Sequence, residues 1–207
     1  WMVLASFKTQ AQILSTGQFF LFEPTGQNYV SVFKEYDFIK YIFNSMLVAV
    51  GSTAFSLILG LPAAYAIAKY RLQKLGLVIL AARIIPGITF LIPWFILFTQ
   101  IKLVDSYTAL ILSHMLVGLP FITWIMISFF ETLPQEIEES GLIDGCRPHQ
   151  VFTKIILPIS GPGIVTSSLL SFIFSWNNFM FSVILAGDKT KTLPIAVFNF
   201  LSYSEIN

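Results

Sequence analysis

The chain has 207 residues, of which 56% are hydrophobic and only 11% are charged, against about 25% charged residues in an ordinary soluble domain. A soluble domain of this size could not bury so much apolar surface, so the composition predicts an integral membrane protein. The formal net charge of +1 argues against a nucleic-acid partner, the single cysteine, Cys146, excludes an internal disulfide, and His114 and His149 lack the spacing of metal ligands.

The chain begins at Trp1, inside what resembles the end of an apolar run. It does not start with Met and shows no signal peptide. We therefore expect a fragment of a longer chain, with a polar loop at residues 8–40 after this first run.

Four stretches are long and apolar enough to cross a bilayer, which takes about 20 mostly apolar residues. They are residues 44–68, 75–101, 106–130 and 161–187. Arg83 is the only charged side chain within them. Each must be helical, because lipid offers backbone groups no hydrogen-bonding partner. The predicted fold class is thus an all-α, polytopic bundle of transmembrane helices.

Lysine and arginine divide equally, six on each side of the membrane, so the charge bias alone leaves the orientation open. The densest cluster, KYRLQK at residues 69–74, favours the cytoplasm for its side. Two spans separate it from residues 131–160, so that segment is expected on the same side. Residues 8–40 and 188–207 are expected outside.

Residues 131–160 predict a helix, a sharp turn and a second helix. Thr132 and Gln135 fit a capping box, and the first helix is expected over residues 135–140, loosened at Gly141. Asp144-Gly145 is a turn pair, and Pro148 is suited to begin the second helix.

The second short helix is expected to end at Leu157-Pro158. Val151, Phe152, Ile155 and Ile156 fall on one face of it. One interpretation is a solvated connector on the membrane surface. The other is a docking element that buries Ile143 and Phe152 in the groove of a soluble partner.

The segment resembles the cytoplasmic loop of inner-membrane permeases of ATP-binding-cassette (ABC) importers, which has the pattern E-A-A, three residues, G, nine residues, I-x-L-P. The matching positions are Glu139, Gly145, Ile155, Leu157 and Pro158, while Ser140 and Gly141 replace the two alanines. In that family the loop inserts into a cleft of the ATP-hydrolysing subunit. The resemblance implies that ten residues of this loop couple the permease to the ATPase. They are Glu138, Glu139, Ser140, Gly141, Leu142, Asp144, Gly145, Ile155, Leu157 and Pro158.

Four further stretches resemble the maltose-type carbohydrate branch of these permeases: SFKTQAQIL, NSMLVA, SWNNFMFSVIL and KTLPIAVFNF. Members of that branch have six spans. The resemblance implies that residues 1–207 form a single permease domain carrying the second to fifth spans, and that the solute is a sugar or oligosaccharide.

The resemblance also implies the partners: a dimer of cassette ATPases, a second permease subunit, an extracytoplasmic solute-binding protein and the lipid of the inner membrane. Residues 8–40 and 188–207 are expected to contact the binding protein. No glycine-rich phosphate loop, catalytic constellation or metal site is present in the sequence. We therefore expect no enzyme activity and no cofactor on this chain, with ATP and Mg²⁺ on the partner ATPase.

Trp176, Asn177 and Asn178 lie within the last predicted span. Amides inside a membrane need partners, so these residues either join helices or face the pathway, where an amide would bind sugar hydroxyls and Trp176 would stack on a sugar ring. His114 is expected to form a hydrogen bond between helices rather than relay protons.

Three alternatives remain from the sequence. One is an ABC permease for another small solute. A secondary transporter or channel would need acidic or basic coupling residues inside the spans, and an intramembrane enzyme would need paired acids or a Ser/His pair there.

Overall fold

The computed structural model describes residues 1–15, 22–35, 37–82 and 84–204. Every regular element in these ranges is helical, which confirms the predicted all-α class. The α-helices are α1 (Met2–Ser6), α2 (Gln10–Leu14), α3 (Gln27–Glu35), α4 (Phe38–Lys69), α5 (Gln73–Ala82), α6 (Leu91–Gln100), α7 (Tyr107–Glu131), α8 (Gln135–Ile143), α9 (Pro148–Val151), α10 (Leu157–Ile159), α11 (Gly161–Trp176), α12 (Met180–Leu185) and α13 (Leu193–Ser204). A 3₁₀ turn spans Gly87–Phe90 and a π-helical turn spans Phe152–Ile156. Arg83 and the end of the predicted outer tail lie outside the described residues.

Two helices, α4 and α7, are each long and apolar enough to cross a membrane. Two bent pairs meet the same criteria when taken together: α5 with residues 87–100, and residues 148–159 with α11. By length and composition, the described residues therefore hold two to four candidate spans.

The stretch predicted as one span over residues 75–101, in which Pro86, Gly87 and Pro93 predict kinks, is interrupted. Helix α5 ends at Ala82, and the chain becomes helical again at Gly87, after Pro86. Proline has no N–H to donate, and its ring clashes with the carbonyl four residues earlier, so Pro86 disfavours continuation of α5 beyond Ala82.

The stretch predicted over residues 161–187 is also divided, because α11 ends at Trp176 and α12 begins at Met180. The side-chain amide of Asn177 donates to the carbonyl of Ile173 at 2.9 Å, and Asn178 Oδ1 accepts from the N–H of Phe181 at 3.1 Å. Asparagine side chains that compete for backbone groups favour such helix ends.

Small residues at every fourth position bring the central helices together. Two helices carry buried rows: Ser52, Ser56, Gly60 and Ala64 on α4, and Gly163, Ser167, Ser171 and Ser175 on α11. Gly118 of α7 lies between the rows, where a Cβ would be 2.9 Å from Ser171 Oγ and 3.1 Å from Ser56 Oγ. Such rows let membrane helices approach closely and gain van der Waals packing.

Two apolar clusters fill the bundle, one towards each end. The first joins the end of α4 to residues 151–156 and includes Ile67, Met126 and Val151. The second lies near the start of α4 and α7 and includes Val48, Phe98 and Phe181. Each cluster supports one of the polar sites described next.

Candidate functional site

Residues 132–160, called the elbow from here on, fold as two short helical arms held together by a close steric fit. Gly141 is buried in α8, and a Cβ there would lie 2.5 Å from Ile155 Cδ1 and 3.4 Å from Val151 Cγ2. Helix α8 continues through Gly141 to Ile143, so the expectation that Gly141 loosens the helix was wrong. A larger residue at this position would force the Ile155 side chain to move.

The turn between the arms is a Schellman motif. The N–H of Cys146 donates to the carbonyl of Gly141 at 3.0 Å, and the N–H of Gly145 donates to the carbonyl of Leu142 at 3.1 Å. Gly145 has φ +84°, and a Cβ there would meet no atom within 4 Å. Glycine is therefore favoured at this position by backbone conformation and not by lack of space.

The helix ends of the elbow differ from the predicted capping. Thr132 Oγ1 donates to the carbonyl of Phe129, at the end of α7, and α8 has no side-chain cap. A cap stands instead at the second arm, where Gln150 Oε1 accepts from the N–H of Arg147 at 2.8 Å. The second arm also stays helical past Pro158 and ends at Ile159, beyond the predicted break.

One side of the elbow is exposed and is called the docking face: Glu139, Ser140, Leu142, Ile143, Asp144 and Gly145. Ile143 is 85% exposed and Leu142 is 44% exposed. Pro158 is exposed as well, whereas Ile155 and Leu157 are half-buried. The docking face thus combines two carboxylates with two apolar side chains.

Phe152 points away from the docking face. Its ring stacks on Tyr65 of α4 with the ring centroids 4.9 Å apart. The expectation that Phe152 would be buried in a partner's groove was therefore wrong for this structure, because the side chain packs against its own bundle.

Glu138 also faces its own chain. Its Oε2 lies 2.7 Å from Lys69 Nζ at the end of α4, and Lys69 donates a hydrogen bond to the hydroxyl of Tyr65 at 3.1 Å. A cleft of about 470 Å³ opens beside this pair, and Arg71 and Glu131 contribute to its lining.

A second polar site, called the clamp, lies at the opposite end of the bundle. Asp105 accepts four hydrogen bonds: from the N–H of Gly187, of Lys189 and of Thr190, and from Thr190 Oγ1. A Cβ on Gly187 would lie 2.6 Å from Asp105 Cγ. Partial burial acts to raise the pKa of Asp105, but these hydrogen bonds outweigh it and hold that pKa below its usual value.

Asn44 forms the other half of the clamp. Its side-chain amide donates to the carbonyls of Lys189 and Lys191, and its Oδ1 accepts from the hydroxyl of Tyr107 at 2.7 Å. Ser45 Oγ accepts from the N–H of Leu193 at 2.8 Å. The start of α4 therefore holds the segment 186–193 in place. Sequence reasoning missed this site, although a buried amide at the edge of a charge-free span needs partners.

His114 is buried and connects helices. Its Nδ1 lies 2.7 Å from Ser175 Oγ, which also lies 2.9 Å from Ser52 Oγ, and its Nε2 lies 3.4 Å from Ser182 Oγ. The expected hydrogen bond between helices is confirmed.

The structure separates the three residues expected at the pathway. Trp176 stacks on Phe172 and, with Asn177 and Met46, lines an open groove of about 220 Å³. Asn178 lines a different, smaller cavity together with His114. Within the described residues, no three or more His, Cys, Asp or Glu side chains are grouped to hold a metal ion.

Residues 56–207 match the protein family described as "Binding-protein-dependent transport system inner membrane component". The probable ABC transporter permease protein y4oR of Sinorhizobium fredii is 38% identical, over 97% of this chain and 73% of that protein.

Two other relatives are each 32% identical to the chain. The sulfoquinovosyl glycerol transport system permease protein SmoH of Agrobacterium fabrum matches 95% of this chain and 71% of its own length. The trehalose transport system permease protein SugB of Mycobacterium tuberculosis matches 99% of this chain and 76% of its own length.

Among solved structures, a bacterial ABC transporter involved in the import of the acidic polysaccharide alginate has the same fold. One of its chains superposes with a TM-score of 0.82 at 23% identity, over 100% of this chain and 74% of that one.

Proposed function

Because the chain belongs to the family of inner membrane components of binding-protein-dependent transport systems, we propose that it carries a sugar or oligosaccharide and is driven through its elbow by an ATPase on a separate chain. Members of this family are permeases of ABC importers and multi-pass proteins of the inner membrane, and they act with an ATPase and a solute-binding protein. The family is one of transporters and not of enzymes.

The observation that carries the coupling proposal is the docking face. Ile143 is 85% exposed outside the candidate spans, and burying such a side chain is worth about 1.5–3 kcal/mol. Glu139 and Asp144 flank it with negative charge. We expect the partner to offer a cleft with an apolar floor and basic groups at its rim.

The elbow has the rigidity that force transmission needs. Gly141 fits against Ile155, and the Schellman turn joins the arms. Its first arm follows α7 and its second arm precedes α11, so movement of the docking face would move both helices. ATP and Mg²⁺ bind the partner in this proposal, and ATP binding would shift the permease between inward- and outward-open states through its differential affinity for them.

The sugar specificity is supported by relatives named for the transport of sulfoquinovosyl glycerol and trehalose. On this chain, the groove beside Trp176 and Asn177 offers an aromatic ring and a side-chain amide. Such groups suit the apolar face and the hydroxyls of a sugar. We place the solute pathway along this groove, with a second permease subunit completing its other wall.

The binding protein is proposed to approach the clamp end. Asp188 and Lys189 are exposed on the segment that Asp105 and Asn44 hold. The polar stretch at residues 8–40 would provide the remaining contact surface.

Co-purification tests the coupling role. Glu139→Lys and Ile143→Asp each change the docking face, and the assembled transporter would be isolated from membranes through a tag on the permease. We expect the amount of ATPase per permease to fall with either variant. Glu131→Lys is the matched control, because Glu131 is exposed at the end of α7, before the elbow begins. Unchanged ATPase stoichiometry in both variants would contradict the proposal.

A panel of radiolabelled solutes tests the specificity. Uptake into cells that express the complete transporter should be supported by mono- or oligosaccharides and abolished when the binding protein is deleted. Uptake restricted to amino acids, peptides or inorganic ions would overturn the assignment to sugars.

A further inference from the structure

The Lys69–Glu138 pair lies where two parts of the chain meet. Lys69 is the last residue of the 32-residue helix α4, and Glu138 lies in α8, on the arm that carries the docking face. The side chains are only 23% and 19% exposed, with 2.7 Å between Nζ and Oε2. The hydroxyl of Tyr65, one turn earlier in α4, accepts a further hydrogen bond from Lys69.

The charge pair lies where α8 is packed on one side and open on the other. Helix α8 packs on the second arm of the elbow through Gly141 and Ile155. Towards α4, however, the cleft of about 470 Å³ opens, and Lys69, Tyr65 and Glu138 lie along its lining. The charge pair therefore bridges the gap between α8 and α4, whereas apolar packing joins α4 to the second arm at Val151 and Phe152. Partly buried opposite charges attract more strongly than exposed ones, because water screens them less.

Helix α4 reaches both ends of the bundle. Its buried row of small residues packs with α7 and α11 through Ser56 and Gly60. Its first turns hold the clamp through Asn44 and Ser45. A displacement of α8 that is passed to Lys69 would thus act on a helix that contacts the extracytoplasmic segment of the proposed transporter.

We propose that Lys69 and Glu138 are a positioning pair that connects the docking face to α4, so that nucleotide-driven movement of the elbow reaches the clamp. The proposal rests on the proposed coupling function of the elbow. It assigns Glu138 a contact within its own chain, whereas the sequence pattern grouped it with the residues that meet the ATPase.

Charge reversal in the complete transporter tests the pair. Lys69→Glu, Glu138→Lys and the double exchange Lys69→Glu/Glu138→Lys would be reconstituted in proteoliposomes with the ATPase, the second permease and the binding protein. The readout is the ratio of ATP hydrolysis with and without solute-loaded binding protein. We expect each single reversal to lower this ratio by about five-fold, the lower end of typical coupling between distant sites, and the double exchange to restore most of it.

Two exposed residues serve as controls. Lys74→Glu and Lys154→Glu make the same change of charge as Lys69→Glu, on the neighbouring turn and on the second arm of the elbow, and they should leave the ratio near that of the unmodified transporter. Tyr65→Phe keeps the ring that stacks on Phe152 but removes the hydroxyl, so it should lower the ratio less than either reversal.

The outcomes separate this inference from the proposed function. If the double exchange is no better than the single reversals, or the single reversals match the controls, the positioning role is overturned. If the single reversals do not accumulate in the membrane, the same ATP hydrolysis ratio is measured for Lys69→Gln and Glu138→Gln. A ratio equal to that of the unmodified transporter in both variants overturns the proposal. Failure of the proposed function would show differently, because Glu139→Lys would then also retain a full complement of ATPase.

Discussion

At the elbow, two short helical arms are joined by the fit of Gly141 against Ile155, whereas at the clamp Asp105 and Asn44 hold a loop through hydrogen bonds to its backbone. The elbow leaves Ile143 and Glu139 exposed. The clamp directs its main polar groups inward, and Asn44 is only 1% exposed.

The difference teaches what each end is suited to do. Steric fit makes the elbow a rigid body while leaving its outer face available, which suits a docking element. Hydrogen bonds to backbone groups fix the conformation of an irregular segment that has no helix or sheet partner of its own. The two ends should therefore respond to different substitutions: the clamp to loss of polar atoms, and the elbow to gain of volume.

The largest expected effect is that of Asp105→Ala. It removes the acceptor of four hydrogen bonds, and leaving several donors unpaired should lower the free energy of unfolding by about 2–4 kcal/mol. Thermal unfolding of the purified transporter measures this. Asp188→Ala is the control, since Asp188 is exposed in the same segment. Equal stability of the two variants would refute the role of Asp105.

The clamp should also weaken in acid. The folded state lowers the pKa of Asp105, so its stabilisation is fully present above the ordinary carboxylate pKa of about 3.9 and is lost as the pH falls through the lower, folded-state pKa. The difference in stability between wild type and Asp105→Asn should shrink over this range. A difference that stays constant with pH would show that the charge of Asp105 contributes nothing.

At the elbow, Gly141→Val should cost about 1–3 kcal/mol, because added volume must displace Ile155 and Val151. Ser140→Val introduces the same β-branched side chain at the adjacent, exposed position and should cost much less. Unfolding of the purified transporter compares the two, and similar losses would mean that helix propensity and not steric fit explains the glycine.

A smaller loss is expected for Gly145→Ala. The backbone at φ +84° is unfavourable for a residue with a Cβ, at about 1 kcal/mol. Gly161→Ala is the matched substitution, because its Cβ would likewise meet no atom within 4 Å but no left-handed backbone is involved. If Gly145→Ala is as stable as Gly161→Ala, the backbone conformation at Gly145 does not disfavour a residue with a Cβ.

The smallest effect should come from Tyr107→Phe, which removes one hydrogen bond to Asn44 and should cost about 0.5–1.5 kcal/mol. Tyr70→Phe alters a tyrosine that is 66% exposed and should be neutral. If both variants unfold at the temperature of the wild type, Asn44 is held by its backbone partners alone.

Much of the fold follows from local patterns in the chain. Charge-free apolar stretches predicted membrane helices, and Asp144-Gly145 and Pro148 marked the turn and the second arm of the elbow, because backbone preferences of glycine and proline act within a few residues. The same reasoning missed where helices stop inside the apolar stretches, at Asn177 and Asn178. There the outcome depends on which backbone groups each amide reaches.

Local sequence by itself determined that the chain is helical, apolar and bent at the elbow, since hydrophobicity and the turn preferences of glycine and proline are properties of neighbouring residues. Only the tertiary structure decided which side chains of the elbow are exposed. It turned Phe152 and Glu138 towards α4 and left Ile143 exposed. It also brought Asp105 to residues 187–190, because pairing across more than 80 positions depends on how helices pack and not on any local preference.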